Sequence, residues 1–204
     1  YLAISLAGRY QSNPGVDHWS AVKNILKYLK ITKVMFLVYG GDKELIVNCY
    51  VDGSFDTDLD DYKSQTGYVF ILIGGAVSWC SSKQSVMAGS TCEAEYIAAS
   101  QAPKGVWMKE FISDLGVIPS ASGLMKIFCD NTRAIALAKE SIFHKRAKHI
   151  KRCFNSICDQ VKEGDIEICK IHTDQNVADP LTKPLSREKH DQHQDSMGVR
   201  IITM

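Results

Sequence analysis

The chain of 204 residues lacks any run approaching the ~18 consecutive apolar residues of a membrane-spanning helix. Its opening, YLAISLAG, has neither the basic flank nor the length of a secretion signal, so an intracellular chain is expected, with no membrane partner. Charge of one sign is lacking too: 24 basic and 23 acidic residues leave a net +1. Bulk attraction to nucleic acid is thereby excluded, and any such contact must come from local clustering. No C-x-x-C pair occurs, and the seven cysteines, Cys49, Cys80, Cys92, Cys129, Cys153, Cys158 and Cys169, are odd in number and scattered. That pattern argues against a disulfide framework and against a cysteine zinc site. GxxxxGK, GxSxG and HExxH are all missing, which leaves nucleotide hydrolysis through a phosphate loop, acyl transfer and zinc proteolysis without support. Internal repeats and low-complexity segments are absent as well. What is present is 45% hydrophobic content, enough for an ordinary core in one domain or one with an appended fragment. The first residue is Tyr1 rather than methionine, so the chain is expected to be part of something longer.

From Asp17 to Lys30, residues Val22, Ile25, Leu26 and Leu29 recur at helical spacing, predicting an amphipathic helix. KVMFLVYGGDKELIVNCYVD then reads as two β-rich runs folded into a hairpin about Gly40-Gly41-Asp42. After a polar, acid-rich loop, TGYVFILI and AVSWC flank Gly74-Gly75, a second hairpin signal. Ser90-Thr91-Cys92-Glu93 has the pattern of a capping box opening a helix with Cys92, Tyr96 and Ala99 on one face. Pro103 and Gly105 divide this helix from the next, or kink it. LMKIFC is a short strand ending at Asp130-Asn131 with a helix following at once. A further helix is expected from about Arg146 to Val161, then the strand DIEICKI and a short helix near Pro180. The order implies an α/β fold with a mixed sheet and helices on its faces.

Four acids fall where the chain changes element: Asp52 and Asp130 at strand ends, Glu95 one turn into a helix, and Asp179 near a late loop-helix junction. Carboxylates gathered within a few ångströms repel one another and need a cation. A hard divalent ion with oxygen ligands, Mg²⁺ or Mn²⁺, meets that need. An acid at such a junction is more often a turn-former or helix cap, so position alone does not establish a metal site.

Here the residues resemble a family. VDGSF, STCEAEYIAA, IFCDNTRAIALA and QNVADPLTKPL look like the four acidic motifs of ribonuclease H, in order. The fuller pattern, with GYVFILIGGAVSWCSSKQS and FHKRAKHI, is similar to the RNase H domain of copia-type retrotransposon Pol polyproteins. RYQSNPGVDHWSAVKNILKYLK resembles the stretch joining that domain to reverse transcriptase. The resemblance implies a ribonuclease-H-like mixed five-stranded sheet flanked by helices, with an N-terminal helical extension. It implies residues 1-43 as the connection to reverse transcriptase, 44-185 as the RNase H-like domain and 186-204 as a C-terminal tail. Asp52, Glu95, Asp130 and Asp179 are carried over as the catalytic, metal-binding tetrad, and Glu93 is left to helix capping. Two Mg²⁺ or Mn²⁺ ions about 4 Å apart, an RNA/DNA hybrid as partner and cleavage of its RNA strand follow from the same likeness, with the reverse transcriptase portion as a possible second partner.

Secondary candidates each have a plainer role. His172 resembles a loop histidine of cellular ribonucleases H, but the copia-type branch does not generally retain it and the spacing here is shorter, so an ordinary exposed loop residue is expected first. Lys145, Arg146, Lys148, Lys151 and Arg152, in the run HKRAKHIKR, suit phosphate contacts or a solvated helix face. Asn131 and Ser54 adjoin catalytic acids and suit either minor-groove 2′-hydroxyls or capping and turns. Tyr68, Phe70, Trp79, Trp107 and Phe111 are expected in the core rather than as base-stacking platforms. The competing functional class is a folded but catalytically silent retroelement remnant or binding module.

Overall fold

The computed structural model describes residues 1-40, 45-58, 60-101, 103-116, 124-139 and 157-202. The chain begins with helices α1 (Leu2–Gly8) and α2 (Val16–Ile31) and a three-residue strand, β1 (Met35–Leu37). Strands β2 (Asn48–Ser54), β3 (Gln65–Leu72) and β4 (Gly75–Lys83) follow, then helices α3 (Thr91–Ala99) and α4 (Pro103–Asp114). Next come β5 (Met125–Cys129), α5 (Thr132–Lys139), α6 (157-163) and β6 (Ile166–Lys170). Two 3-10 turns, Thr173–Gln175 and Asp179–Leu181, lead to α7 (Arg187–Ser196) and β7 (Val199–Ile201).

The main sheet has five strands in the order β4-β3-β2-β5-β6. Neighbours β2, β3 and β4 run antiparallel, whereas β5 lies parallel to β2 and β6 parallel to β5. This is the mixed sheet expected from the order of elements. The parallel pairs need crossovers, which α3 with α4, and α5 with α6, provide.

Alternation along β3 explains why nearly all of it is buried. Tyr68 and Phe70 face one cluster, formed with Tyr96, Ala98 and Ala99 of α3 and with Met125 and Ile127 of β5. Val69 and Ile71 face a smaller cluster, formed with Val177, Ala178 and Leu181. Successive side chains of a strand point to opposite faces, so a strand covered on both sides reads as an unbroken apolar run.

Several details depart from expectation. The first predicted hairpin does not form: β1 pairs with β7, Met35 opposite Ile201 and Leu37 opposite Val199. Both edges of β2 are already taken by β3 and β5, leaving no edge to which β1 could add. Its intended turn falls mainly on residues 41-44, outside the described residues. The second hairpin forms, but its two loop residues are Ile73 and Gly74, both at positive φ (51° and 73°), with Gly75 already opposite Leu72 in the ladder. Two positive φ values match the twist of the flanking strands.

Among the aromatics expected in the core, Tyr68 and Phe70 are buried, but Trp79, Trp107 and Phe111 are exposed, the last two stacked on one another at 5.6 Å. Trp107 and Phe111 are four apart on one side of α4, while Val106 and Ile112, on its other side, pack into the core. Helical spacing alone could not say which side faces the sheet. The run 186-204, expected as a tail, contains α7 and β7. The long helix expected from about Arg146 is described only from residue 157 onward, and Gly164 ends it at φ +81°. Among the described residues no helix is long and apolar enough to cross a membrane.

Candidate metal and catalytic centre

Asp52 is the fifth residue of β2, and Asp130 directly follows β5. The parallel register sets Tyr50 against Phe128, so the two aspartates, each two residues further on, reach the same end of the sheet. Glu95 arrives from above on α3. That helix is started by Ser90, whose Oγ accepts the Glu93 backbone N–H at 3.2 Å, while the Glu93 carboxylate accepts the Gly89 N–H at 2.7 Å. Glu93 is thereby a capping residue, and Glu95, two positions on, turns to the sheet with its side chain buried. The approach requires Gly53: a Cβ there would lie 2.5 Å from the Ala94 carbonyl oxygen and 2.7 Å from the Glu95 nitrogen. Without a side chain, the Gly53 N–H donates to the Glu95 carboxylate.

Asp179 is delivered by the second 3-10 turn. Buried Asn176 anchors this segment by donating to the Val51 carbonyl at 2.9 Å, and Ser81 donates to the Leu181 carbonyl. Gly67 sits opposite Asp52 in the ladder, and a Cβ there would fall 2.7 Å from the Thr182 methyl and 2.9 Å from the Leu181 Cβ. The bare backbone of β3 makes room for the turn. Two residues just after Asp179 then grip the cluster. Thr182 Oγ donates to the Asp52 carboxylate, and Lys183 Nζ lies 3.0 Å from Asp179 Oδ2.

The result is a group in which one carboxylate oxygen from each of Asp52, Asp130 and Asp179 lies within 4.8 Å of the others. Glu95, Cys129 and Asp130 form an overlapping group at the same separation. Asp52 and Asp179 are 3% exposed and Glu95 5%, burial that water cannot compensate. Burial first, and then the neighbouring carboxylates, push Glu95 far above the usual carboxylate range. Burial and the Asp52 charge raise Asp179 to about 7, against the pull of Lys183. Asp52 is raised by burial, with Lys183 and Thr182 opposing. Burial drives the Cys129 thiol up to about 12, so it stays protonated, with its sulfur 4.0 Å from a Glu95 oxygen.

The residues fit a hard divalent cation. All the acidic donors are oxygen, their charges lack sufficient counter-charge, and Asp179 Oδ1 is buried with no hydrogen-bond partner among the described residues. One Lys183 ammonium faces carboxylates from four segments.

The remaining candidates that are described have local partners. His172 is 72% exposed and caps its own 3-10 turn, its Nδ1 accepting the Asp174 N–H at 3.2 Å. Asn131 caps α5, its Oδ1 accepting from the Arg133 and Ala134 nitrogens at 3.0 Å each. Ser54 ends β2, half-buried, and its carbonyl accepts from Thr57 Oγ. Lys145, Arg146, Lys148, Lys151 and Arg152 lie outside the described residues. Sequence reasoning missed Thr182 and Lys183. The signal was available, since Lys183 follows Asp179 by four residues, a spacing at which opposite charges meet on one helical turn.

A mixed sheet in this order, with acids at the ends of its parallel neighbours and on the covering helix, is the ribonuclease H fold. No protein-family model matches the chain. Over 97% of its length it is 39% identical to the Pol polyprotein of transposon TNT 1-94 from Nicotiana tabacum, and 33% identical to that of transposon RE2 from Arabidopsis thaliana. The chain belongs to the copia-type Pol family. It spans 15% and 14% of the length of those two relatives. Among solved structures, LC11-RNase H1, isolated from compost, is 16% identical, with a TM-score of 0.49 over 73% of this chain and 98% of that one.

Proposed function

We propose that the chain is a metal-dependent, ribonuclease H-type endonuclease that cleaves the RNA strand of RNA/DNA hybrids. The observation that carries this reading is the meeting of Asp52, Asp130 and Asp179 within 4.8 Å, beside buried Glu95, with the Asp179 Oδ1 lone pairs unused. Acids gathered from four distant segments of a chain repel one another unless they hold protons or a cation offsets their charge, and a divalent ion does so with all of them ionised. Kinship with Pol polyproteins, which combine such segments in long chains, supports the same direction.

Asp52, Asp130, Asp179 and Glu95 would hold Mg²⁺ or Mn²⁺, two ions on the expectation from sequence. Bound divalent ions supply Lewis acidity and positive charge at a scissile phosphate. The chain's own residues supply placement. Strands β2 and β5 fix Asp52 and Asp130 on a rigid edge, Thr182 fixes the Asp52 rotamer, and Lys183 holds Asp179 Oδ2, leaving the buried Oδ1 without a hydrogen-bond partner among the described residues. Such pre-positioned charge needs little reorganisation during reaction.

The partner on this reading is an RNA/DNA hybrid, with phosphates reached by Lys145, Arg146, Lys148, Lys151 and Arg152, and minor-groove hydroxyls by Ser54 and Asn131. Reverse transcriptase is the second partner. Exposed Val16, Trp19, Leu26 and Ile31 on α2 support a covered position for this extension in a longer protein.

Calorimetric titration with Mn²⁺ tests the site. Wild type should bind with release of protons from the raised acids, and Asp52→Asn should bind far more weakly. Equal binding by both would remove the assignment.

A further inference from the structure

Lys183 is a cation already inside the cluster. Its ammonium sits 3.0 Å from Asp179 Oδ2 on a side chain 35% exposed, and the Asp179 side chain it contacts is 4% exposed. Burial works to lower the Lys183 pKa, yet Asp52, Asp179 and Asp130 together outweigh it and hold the group charged. Thr182, one residue earlier, holds Asp52. Two consecutive residues thus tie down two acids of the site, one from β2 and one from the 3-10 turn. The contact also divides the labour of the Asp179 carboxylate: Oδ2 is committed to Lys183, and Oδ1 has no partner among the described residues.

We infer that Lys183 is the positioning residue and resident counter-ion of this centre: its ammonium keeps the acids assembled without metal, aims Asp179 Oδ1, and opposes the entry of divalent cations by its charge. This rests on the metal-dependent reading above. The physical consequence runs in two directions. Without metal, removing the ammonium leaves buried carboxylates less compensated, so the fold weakens. With metal, the same removal deletes a positive charge a few ångströms from a divalent ion in a poorly solvated site, so the ion binds more tightly. A merely structural lysine would weaken both.

The test compares wild type, Lys183→Gln and Lys183→Arg by Mn²⁺ and Mg²⁺ calorimetry at neutral pH, alongside metal-free thermal melts. Lys183→Gln should melt lower without metal and bind Mn²⁺ about tenfold more tightly or better, the scale of one charge at this range in a partly buried site. Lys183→Arg, keeping the charge, should bind as wild type does. Wild-type binding with equal or weaker binding by Lys183→Gln would overturn the inference and leave the metal site standing. Absence of binding in all three would remove the metal-dependent reading and this inference with it. Should Lys183→Gln be unfolded without metal, saturating Mn²⁺ must refold it, and failure to refold also overturns the inference.

Discussion

Single side chains set opposite pH dependences in this protein. Asp179 has an ordinary value of 3.8, raised in the fold to about 7, and Glu95 is raised further. The folded state therefore holds protons that the unfolded chain has lost, and stability falls as pH rises through about 7. Asp58 behaves inversely. Hydrogen bonds from Lys83 and from the Asp60 and Asp61 nitrogens depress it to about 2, so its stabilisation is present above 3.8 and is lost as pH falls toward 2. Buried His193 is lowered by burial and by Lys183 from the ordinary histidine value of 6.5, so the stability it contributes is lost below 6.5. Between about pH 6.5 and 8 the raised acids lose their protons, while the partly buried Tyr1 ammonium, lowered from 8.0 by burial, acts singly in the opposite sense. The metal-free Tm should fall across this window, and saturating Mg²⁺ should largely abolish the fall. A flat or rising metal-free profile would contradict the buried, under-compensated acids.

At the scale of elements, the site depends on how closely α3 approaches β2. Gly53→Ala would place a methyl group into the Ala94 carbonyl and the Glu95 nitrogen, and neither can yield without shifting the helix. The expected cost is about 1–3 kcal/mol in chemical denaturation, as for other overpacked sites, together with weaker Mn²⁺ binding because Glu95 moves. Unchanged metal binding in a folded Gly53→Ala chain would show that Glu95 is no ligand. Elements with local signals were readable in the sequence: helix α2 from its apolar spacing, the start of α3 from Ser90 and Glu93, and the β3–β4 hairpin from its glycines. The placement of Asp52, Glu95, Asp130 and Asp179 at or near element ends was readable because the motifs around them are local as well. Three features were not readable. The pairing of β1 with β7 depends on which edges of β2 the rest of the sheet occupies. The exposure of Trp79, Trp107 and Phe111 depends on which face each element turns inward. The grip of Thr182 on Asp52 joins residues 130 apart in sequence.

For the whole molecule, the flanks are tied to the sheet that carries the acids. Arg9, just after α1, reaches the Asp58 carboxylate and Gln65, while Lys83 lies 2.9 Å from both Asp58 and Asp61. Strands β1 and β7 pair in a sheet of their own, which brings residues 35-37 beside residues 199-201, far apart in sequence. The centre itself sits where β2 and β5 end under α3, the place to which a hybrid would have to come. The most direct measurement is cleavage. Purified chain with Mg²⁺ or Mn²⁺, at low salt and micromolar concentration, is incubated with a labelled RNA/DNA hybrid, single-stranded RNA and duplex DNA. Internal cuts in the RNA of the hybrid alone are expected, with Asp130→Asn reduced on the order of a hundredfold or more through lost charge at the metals. A folded wild-type chain that cuts no faster than Asp130→Asn would contradict that expectation and leave a silent binding module in place of an enzyme.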